Sequence, residues 1–226
     1  MRYGKGAVLV RQLKERRLAR LRGLYAIVDG SAARPPLELV EAFLRGGAGA
    51  VQLRLKSLSA RELLEVAREA VSLCRQRDAL LLVDDRPDVA RAAGADGVHL
   101  GQDDLPAGVA REVVGEDALI GVSTHSDAEI DASLAAGADY LGFGPVFETR
   151  SKGGAPLPPP HGPAGLQRAA RRAAAVPVVA IGGITAATAA AVARTGAACV
   201  AAIGELCHAR DPEAAARALA EAFARG

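Results

Sequence analysis

Three polar clusters interrupt a largely aliphatic sequence at spacings that suit chemistry on phosphates. In Gln52-Leu53-Arg54-Leu55-Lys56, the alternation of a strand turns Gln52, Arg54 and Lys56 to one side. Basic groups facing the interior of a fold are costly without a partner, so they imply an anionic ligand. An ion-pair layer with carboxylates of neighbouring strands is the alternative, and the two can coexist. Asp84-Asp85-Arg86 and His99-Leu100-Gly101-Gln102-Asp103-Asp104 supply carboxylates from two further segments. Such a pair can hold one hard divalent cation, with phosphates and waters completing the octahedron of magnesium. Asp84 has a second reading, as a helix cap before Arg86-Pro87-Asp88. Bases and acids in one mouth suit neither charge alone; together they suit a metal–diphosphate complex.

The later segments offer groups for a second anion. Ser123-Thr124-His125-Ser126 holds two hydroxyls and an imidazole, although Ser126 also fits a helix cap and His125 a rim residue. Gly144-Pro145-Val146-Phe147-Glu148-Thr149-Arg150-Ser151-Lys152 presents Thr149, Ser151 and Lys152 as phosphate donors, or as an ordinary polar loop. Glycines in Gly182-Gly183-Ile184 and Ile203-Gly204-Glu205 would let backbone N–H groups approach a phosphate. The chemistry so far is that of an enzyme joining or splitting phosphorylated small molecules.

Something must bring these segments together, and each lies at the end of a short apolar run. The runs are Leu24–Asp29, Ala50–Leu55, Ala79–Asp85, Gly97–Gly101, Leu119–Thr124, Tyr140–Phe147, Pro177–Gly183 and Ala198–Gly204. Their continuous apolar character matches parallel strands buried on both faces. Helical periods fill Pro36–Gly46, Ser59–Arg77, Ser126–Ala136 and Ala186–Arg194, and Asp211-Pro212-Glu213 starts a last helix. Ser59 and Glu62 have the spacing of a capping box. Gly46-Gly47-Ala48, Ala93-Gly94-Ala95-Asp96, Ala136-Gly137-Ala138-Asp139 and Thr195-Gly196-Ala197 each precede a strand, where glycine can end a helix in the left-handed conformation. Eight such units predict a single (β/α)₈ TIM barrel, with chemistry at the C-terminal strand ends and a phosphate site after strands seven and eight. A doubly wound open sheet is the competing fold, but Asp29-Gly30-Ser31 after the first strand is no GxGxxG. The expected division is a basic helical extension over residues 1–22 and a catalytic barrel over 23–226, with a proline-rich loop at Gly153–Pro163.

Composition narrows the remaining classes. Half of the 226 residues are hydrophobic and 3% are aromatic, so the core must be aliphatic. Arg2, Lys5, Arg11, Lys14, Arg16, Arg17, Arg20 and Arg22 face only Glu15 in the first segment. Without interleaved aromatics this run favours an amphipathic segment, with Leu13, Leu18 and Leu21 as its buried stripe, over a nucleic-acid or membrane surface. Three cysteines without CxxC pairing point to a reducing compartment. No apolar stretch reaches the ~18 residues of a membrane span, and no secretory layout opens the chain. A cytoplasmic protein without nucleic-acid or membrane partners is expected, with a homodimer left open.

From Leu24 onward the chain resembles thiamine phosphate synthases and their TenI-type relatives. Gln52-x-Arg54-x-Lys56, Asp84-Asp85-Arg86, His99-x-Gly101-Gln102-x-Asp104, Ser123-x-His125-Ser126, Gly144-Pro145-x-Phe147-x-Thr149-x-Ser151-Lys152 and Ile181-Gly182-Gly183-Ile184 occur in family order. The resemblance implies joining of 4-amino-2-methyl-5-hydroxymethylpyrimidine diphosphate to 4-methyl-5-(2-phosphoethyl)thiazole, with release of pyrophosphate. It implies Mg²⁺ on Asp85 and Asp104, and the pyrimidine diphosphate on Gln52 and the catalytic residues Arg54, Lys56, Ser123 and Lys152. It places the thiazole phosphate on Thr149, Ser151, Gly183, Ile203 and Gly204; Asp84, His99 and His125 complete the substrate-binding set. Asp84 stands where the family usually has Asn, and Gly204 where a serine is common. A TenI-type thiazole tautomerase using His125 as acid–base, and a non-catalytic regulatory barrel, are the alternatives.

Overall fold

Eight short strands pair in chain order, all parallel, and the last closes on the first. They are β1 (Gly23–Asp29), β2 (Ala48–Arg54), β3 (Leu80–Asp84), β4 (Gly97–Leu100), β5 (Leu119–Thr124), β6 (Tyr140–Phe143), β7 (Val178–Ile181) and β8 (Cys199–Ala202). The computed structural model describes residues 5–149 and 158–226. All eight apolar runs are strands, and the closed sheet excludes the doubly wound alternative. β6 stops at Phe143, short of the run that ends at Phe147, because Pro145 has no N–H for a ladder.

Between the strands lie α2 (Pro36–Arg45), α3 (Ala60–Gln76), α4 (Pro87–Ala93), α5 (Ala107–Val114), α6 (Asp127–Ala135), α7 (Gly162–Ala173) and α8 (Ala186–Ala193), then α9 (Gly204–Cys207) and α10 (Pro212–Ala224). Local chemistry fixes their starts. Ser59 and Glu62 cap α3 reciprocally, Ser126 accepts from Glu129 N, and Asp211 accepts from Ala214 N. Gly47, Gly94, Gly137 and Gly196 all have positive φ, as the helix-to-strand turns require. The loop expected at 153–163 ends sooner: α7 starts at Gly162, and Pro163 sits in its first turn, where the missing N–H costs nothing. Helices α4, α5 and α7 are not among the expected ones: α4 and α5 are only 7 and 8 residues long, and α7 buries a stripe of mostly small residues, Gly165, Leu166, Ala169 and Ala173.

The strands carry the core. Leu80, Leu81 and Leu82 are each fully buried. Burying a side chain of this size is worth roughly 1.5–3 kcal/mol.

Helix α1 (Lys5–Arg20) precedes β1 and lies across the N-terminal ends of the strands. Leu18 and Leu21 pack inward as expected, but Leu13 is 38% exposed, a correction to the expected stripe. The packed face is the row Lys14, Arg17, Leu18 and Leu21, so its basic residues turn toward the barrel. Lys14 pairs with Asp139, Arg17 with Asp96 and Asp117, and Arg20 with Asp78. The aspartates of the two Ala-Gly-Ala-Asp turns also accept from strand backbone: Asp96 from Leu81 N at 3.0 Å and Asp139 from Ile120 N at 2.9 Å.

Candidate active site

At the opposite end, strand alternation delivers Gln52, Arg54 and Lys56 to the same side of β2, at increasing height. Gln52 is buried, the Arg54 side chain is 21% exposed and that of Lys56 55%. All three line a cavity of about 670 Å³, open at the mouth, with Asp84, Asp85, His99, Asp104 and Ser123. Its remaining walls are apolar, from Ile27, Val179, Ile181, Ala201 and Ile203.

Arg54 and Lys56 line the cavity and are also ion-paired with neighbouring carboxylates, as the ion-pair reading expects. Arg54 meets Asp29, its register partner on β1, through a short bond to the carboxylate, and lies 3.7 Å from Asp84. Lys56 reaches Asp85 at 2.7 Å and Asp84 at 3.8 Å. Burial pulls the Lys56 ammonium down, but the Asp85 hydrogen bond and the charges of Asp84 and Asp85 outweigh it, so its pKa is raised. For Asp29, burial pushes upward and is overcome by the Ser31 hydroxyl and N–H and by Arg54, leaving the carboxyl below its usual range. Asp84 caps no helix: α4 begins after Arg86, without a side-chain cap. Its place opposite His99 puts it in the cavity wall.

Asp85 and Asp104 come from different strand exits, line the same cavity and lie near enough for each to act on the other's titration. Burial and the Asp85 carboxylate raise Asp104. Asp85 is also pushed up by burial, but Lys56 and the neighbouring Asp104 side chain hold it below the ordinary value. Asp85 has φ 57°, a left-handed conformation uncommon outside glycine, and its N–H donates to the His99 carbonyl at 2.8 Å. Asp104 is fixed by accepting from Gly101 N at 2.7 Å. A Cβ at Gly101 would stand 2.8 Å from that carboxylate oxygen, which explains the glycine in the His99–Asp104 string. Gln102 closes the string by donating to the Ser123 carbonyl. Among the described residues no group of three or more His, Cys, Asp or Glu could hold a metal. The protein offers a carboxylate pair, which is what magnesium takes when phosphate and water supply the rest.

A second cavity of about 570 Å³ adjoins the first, sharing Ala201 and Ile203. It is lined by Thr149, Gly182, Gly183, Ile203 and Gly204, with the exposed carboxylates of Glu148 and Glu205 at its edge. This is the position after β7 and β8, before the short extra helix α9, where TIM barrels recurrently bind phosphate. Here the structure refines the reason for the glycines. Gly182 and Gly183 have φ 101° and 64°, and a Cβ on either would strike Pro145 or the Glu148 carbonyl. They are required first by the segment after β6, whose Val146 and Phe147 N–H groups bond to Ile181 and Gly182 carbonyls.

His125 lines neither of these two cavities. Its Nδ1 is engaged with the Gly144 carbonyl at 2.5 Å and its N–H donates to Glu129, as the rim reading expects. Ser151 and Lys152 lie outside the described residues. Sequence reasoning missed Asp29, Tyr25 and Tyr140. The last two are buried phenols on β1 and β6, hydrogen-bonded to each other at 3.0 Å. Their only signal was a polar atom inside an apolar run.

The family model for thiamine monophosphate synthase matches residues 24–206. The chain belongs to the thiamine monophosphate synthase family. Among its relatives is the thiamine-phosphate synthase of Anaeromyxobacter dehalogenans, 50% identical over 211 residues, covering 93% of this chain and 91% of that one. The thiamine-phosphate synthase of Moorella thermoacetica is 46% identical over 206 residues, covering 89% and 96%. A solved structure, thiamine phosphate pyrophosphorylase from Pyrococcus furiosus, superposes with a TM-score of 0.83 at 38% identity, covering 92% and 98%. Membership at this identity and coverage carries a transferase function, thiamine phosphate synthesis, and does not favour the tautomerase alternative.

Proposed function

We propose that the strand-end cavity holds 4-amino-2-methyl-5-hydroxymethylpyrimidine diphosphate and the adjoining one the phosphate of 4-methyl-5-(2-phosphoethyl)thiazole. The observation that carries this is the pair of contiguous cavities. One has a carboxylate pair beside two cations, and the other lies at the fold's recurrent phosphate position. Arg54, Lys56 and Lys152 bind the diphosphate and stabilise its growing charge as the C–O bond breaks. Ser123 contacts the same group, and Gln52 and His99 orient the pyrimidine from the cavity floor. The thiazole, anchored through Thr149, Ser151, Gly183, Ile203 and Gly204, presents its ring nitrogen to the pyrimidine-methyl cation. The apolar walls at Ile27, Val179, Ile181 and Ala201 exclude water, which would otherwise capture that cation.

Asp85 and Asp104 would hold Mg²⁺, and their fit rests on their proximity and on the surplus of acid over base around them. When bound, the ion supplies positive charge to the leaving diphosphate. Asp84 holds Arg54 and Lys56 in place. The reading extends to a cytoplasmic enzyme without nucleic-acid or membrane partners. Among the described residues no helix is long and apolar enough to cross a membrane. Sedimentation velocity would distinguish monomer from homodimer.

Incubation with both phosphorylated substrates and Mg²⁺ should release pyrophosphate and form thiamine phosphate, and Asp104→Ala should cut both steeply. Metal-independent isomerisation of a thiazole phosphate carboxylate, lost in His125→Ala, would instead establish the tautomerase.

A further inference from the structure

The floor of the strand-end cavity is crossed by a continuous file of hydrogen bonds. Gln52 Nε2 donates to Tyr25 Oη at 3.2 Å, Tyr25 Oη meets Tyr140 Oη at 3.0 Å, Tyr140 Oη meets His99 Nδ1 at 3.0 Å, and His99 Nε2 meets Ser123 Oγ at 2.9 Å. The sequence makes room for this file with two missing side chains. A Cβ at Gly121 would come within 2.0 Å of the Tyr140 ring, and one at Gly142 within 3.1 Å of the His99 ring. Tyr140 is fully buried and does not line the cavity. Burial, and for Tyr25 also the neighbouring phenol, raises both tyrosines well above their ordinary value, so each keeps its proton.

Each phenol then has one proton to give, and the first link sets the direction. The Gln52 amide nitrogen only donates, so the Tyr25 oxygen accepts. Tyr25 passes its own proton toward Tyr140, and Tyr140 passes its proton toward His99 Nδ1. Reversing the order would leave the buried Tyr25 O–H facing two donors, an arrangement folded proteins avoid. With Nδ1 accepting, the imidazole proton resides on Nε2 and points at Ser123 Oγ. The Ser123 hydroxyl accepts from His99, so its own proton is not spent on that ring and is left for the cavity.

We propose that Tyr25 and Tyr140 are positioning residues that hold His99 as its Nε2–H tautomer and thereby make the Ser123 hydroxyl a donor into the cavity. This rests on the reading that an anionic leaving group lies there. A donor oriented in advance serves such a group better than a hydroxyl free to point either way.

The test is ¹⁵N NMR of the full-length protein labelled at histidine, without substrates. The expected spectrum has His99 Nδ1 unprotonated and Nε2 protonated, and Tyr140→Phe should change the Nδ1 shift. In steady-state kinetics with the pyrimidine diphosphate varied, Tyr140→Phe and Ser123→Ala should each lower kcat/KM roughly tenfold, the loss of about one buried hydrogen bond. The double variant should be no worse than Ser123→Ala alone. A proton on Nδ1, an unchanged shift in Tyr140→Phe, or fully multiplicative losses would overturn the proposal. Tyr25→Phe repeats the test should Tyr140→Phe fail to fold. If the wild-type protein makes no thiamine phosphate, the synthase reading fails, and the spectra still decide the tautomer.

Discussion

The two ends of this barrel are built from the same residue types and put them to different uses. At the N-terminal strand ends two of the aspartates that meet α1 have partners that finish their chemistry. Asp96 takes Arg17 and Leu81 N; Asp139 takes Lys14, Arg111 and Ile120 N. At the C-terminal ends Arg54 and Lys56 are set against Asp29, Asp84, Asp85 and Asp104, and two of those acids face each other. The lower end is electrostatically closed, and the upper end is left in want of positive charge. An arginine–aspartate pair is therefore not informative by itself; what matters is whether each partner's remaining bonding positions are filled by backbone.

If the contrast is right, the largest effect belongs to Asp104→Ala. It should cut thiamine phosphate formation on the order of 10²–10³-fold, with a thermal midpoint equal to or above wild type, since it removes like-charge repulsion at the rim. A lowered midpoint with retained turnover would make the upper end structural like the lower.

Arg54→Ala comes next, because it serves both functions. Activity should fall about 10²-fold, and the buried Asp29 would lose its cation. The wild-type Asp29 pKa is depressed, so its contribution to stability is present above the ordinary carboxylate pKa and lost as pH falls through the folded value. In Arg54→Ala that depression shrinks, so the acid-unfolding midpoint should move to higher pH, as followed by circular dichroism. An unchanged acid limb would show that Ser31 alone holds Asp29 down.

Two substitutions probe the closed end. Arg17→Ala should destabilise by about 1–2 kcal/mol in urea, since its pairs are only partly exposed, while kcat/KM stays within about twofold. Lys14→Ala should cost only about 0.5 kcal/mol, because Arg111 and Ile120 N still hold Asp139. A loss of activity in either would tie the underside to the site and dissolve the distinction.

Much of this arrangement was readable from residue order. A parallel strand buried on both faces announces itself as a short apolar run, and polar residues just beyond it mark the functional end; that logic located Gln52, Arg54, Lys56, Asp85, Asp104 and Ser123. The same property concealed Tyr25, Tyr140 and Asp29, because nothing in a run without alternation says which side chains turn inward. The face of α1 was misjudged at Leu13 since its anchoring is by ion pairs to turns 58–125 residues away, which no local pattern records. His125 shared a strand exit with Ser123 and Thr124, and only the path of the following segment shows its ring turned to the Gly144 carbonyl.

Ala201 and Ile203 belong to both cavities, and their side chains form a party wall between them. If the two cavities take the two substrates as proposed, the molecules meet beside that wall. A bulkier residue at 201 would leave each chamber habitable and yet keep the tenants apart, turning a meeting place into two separate rooms.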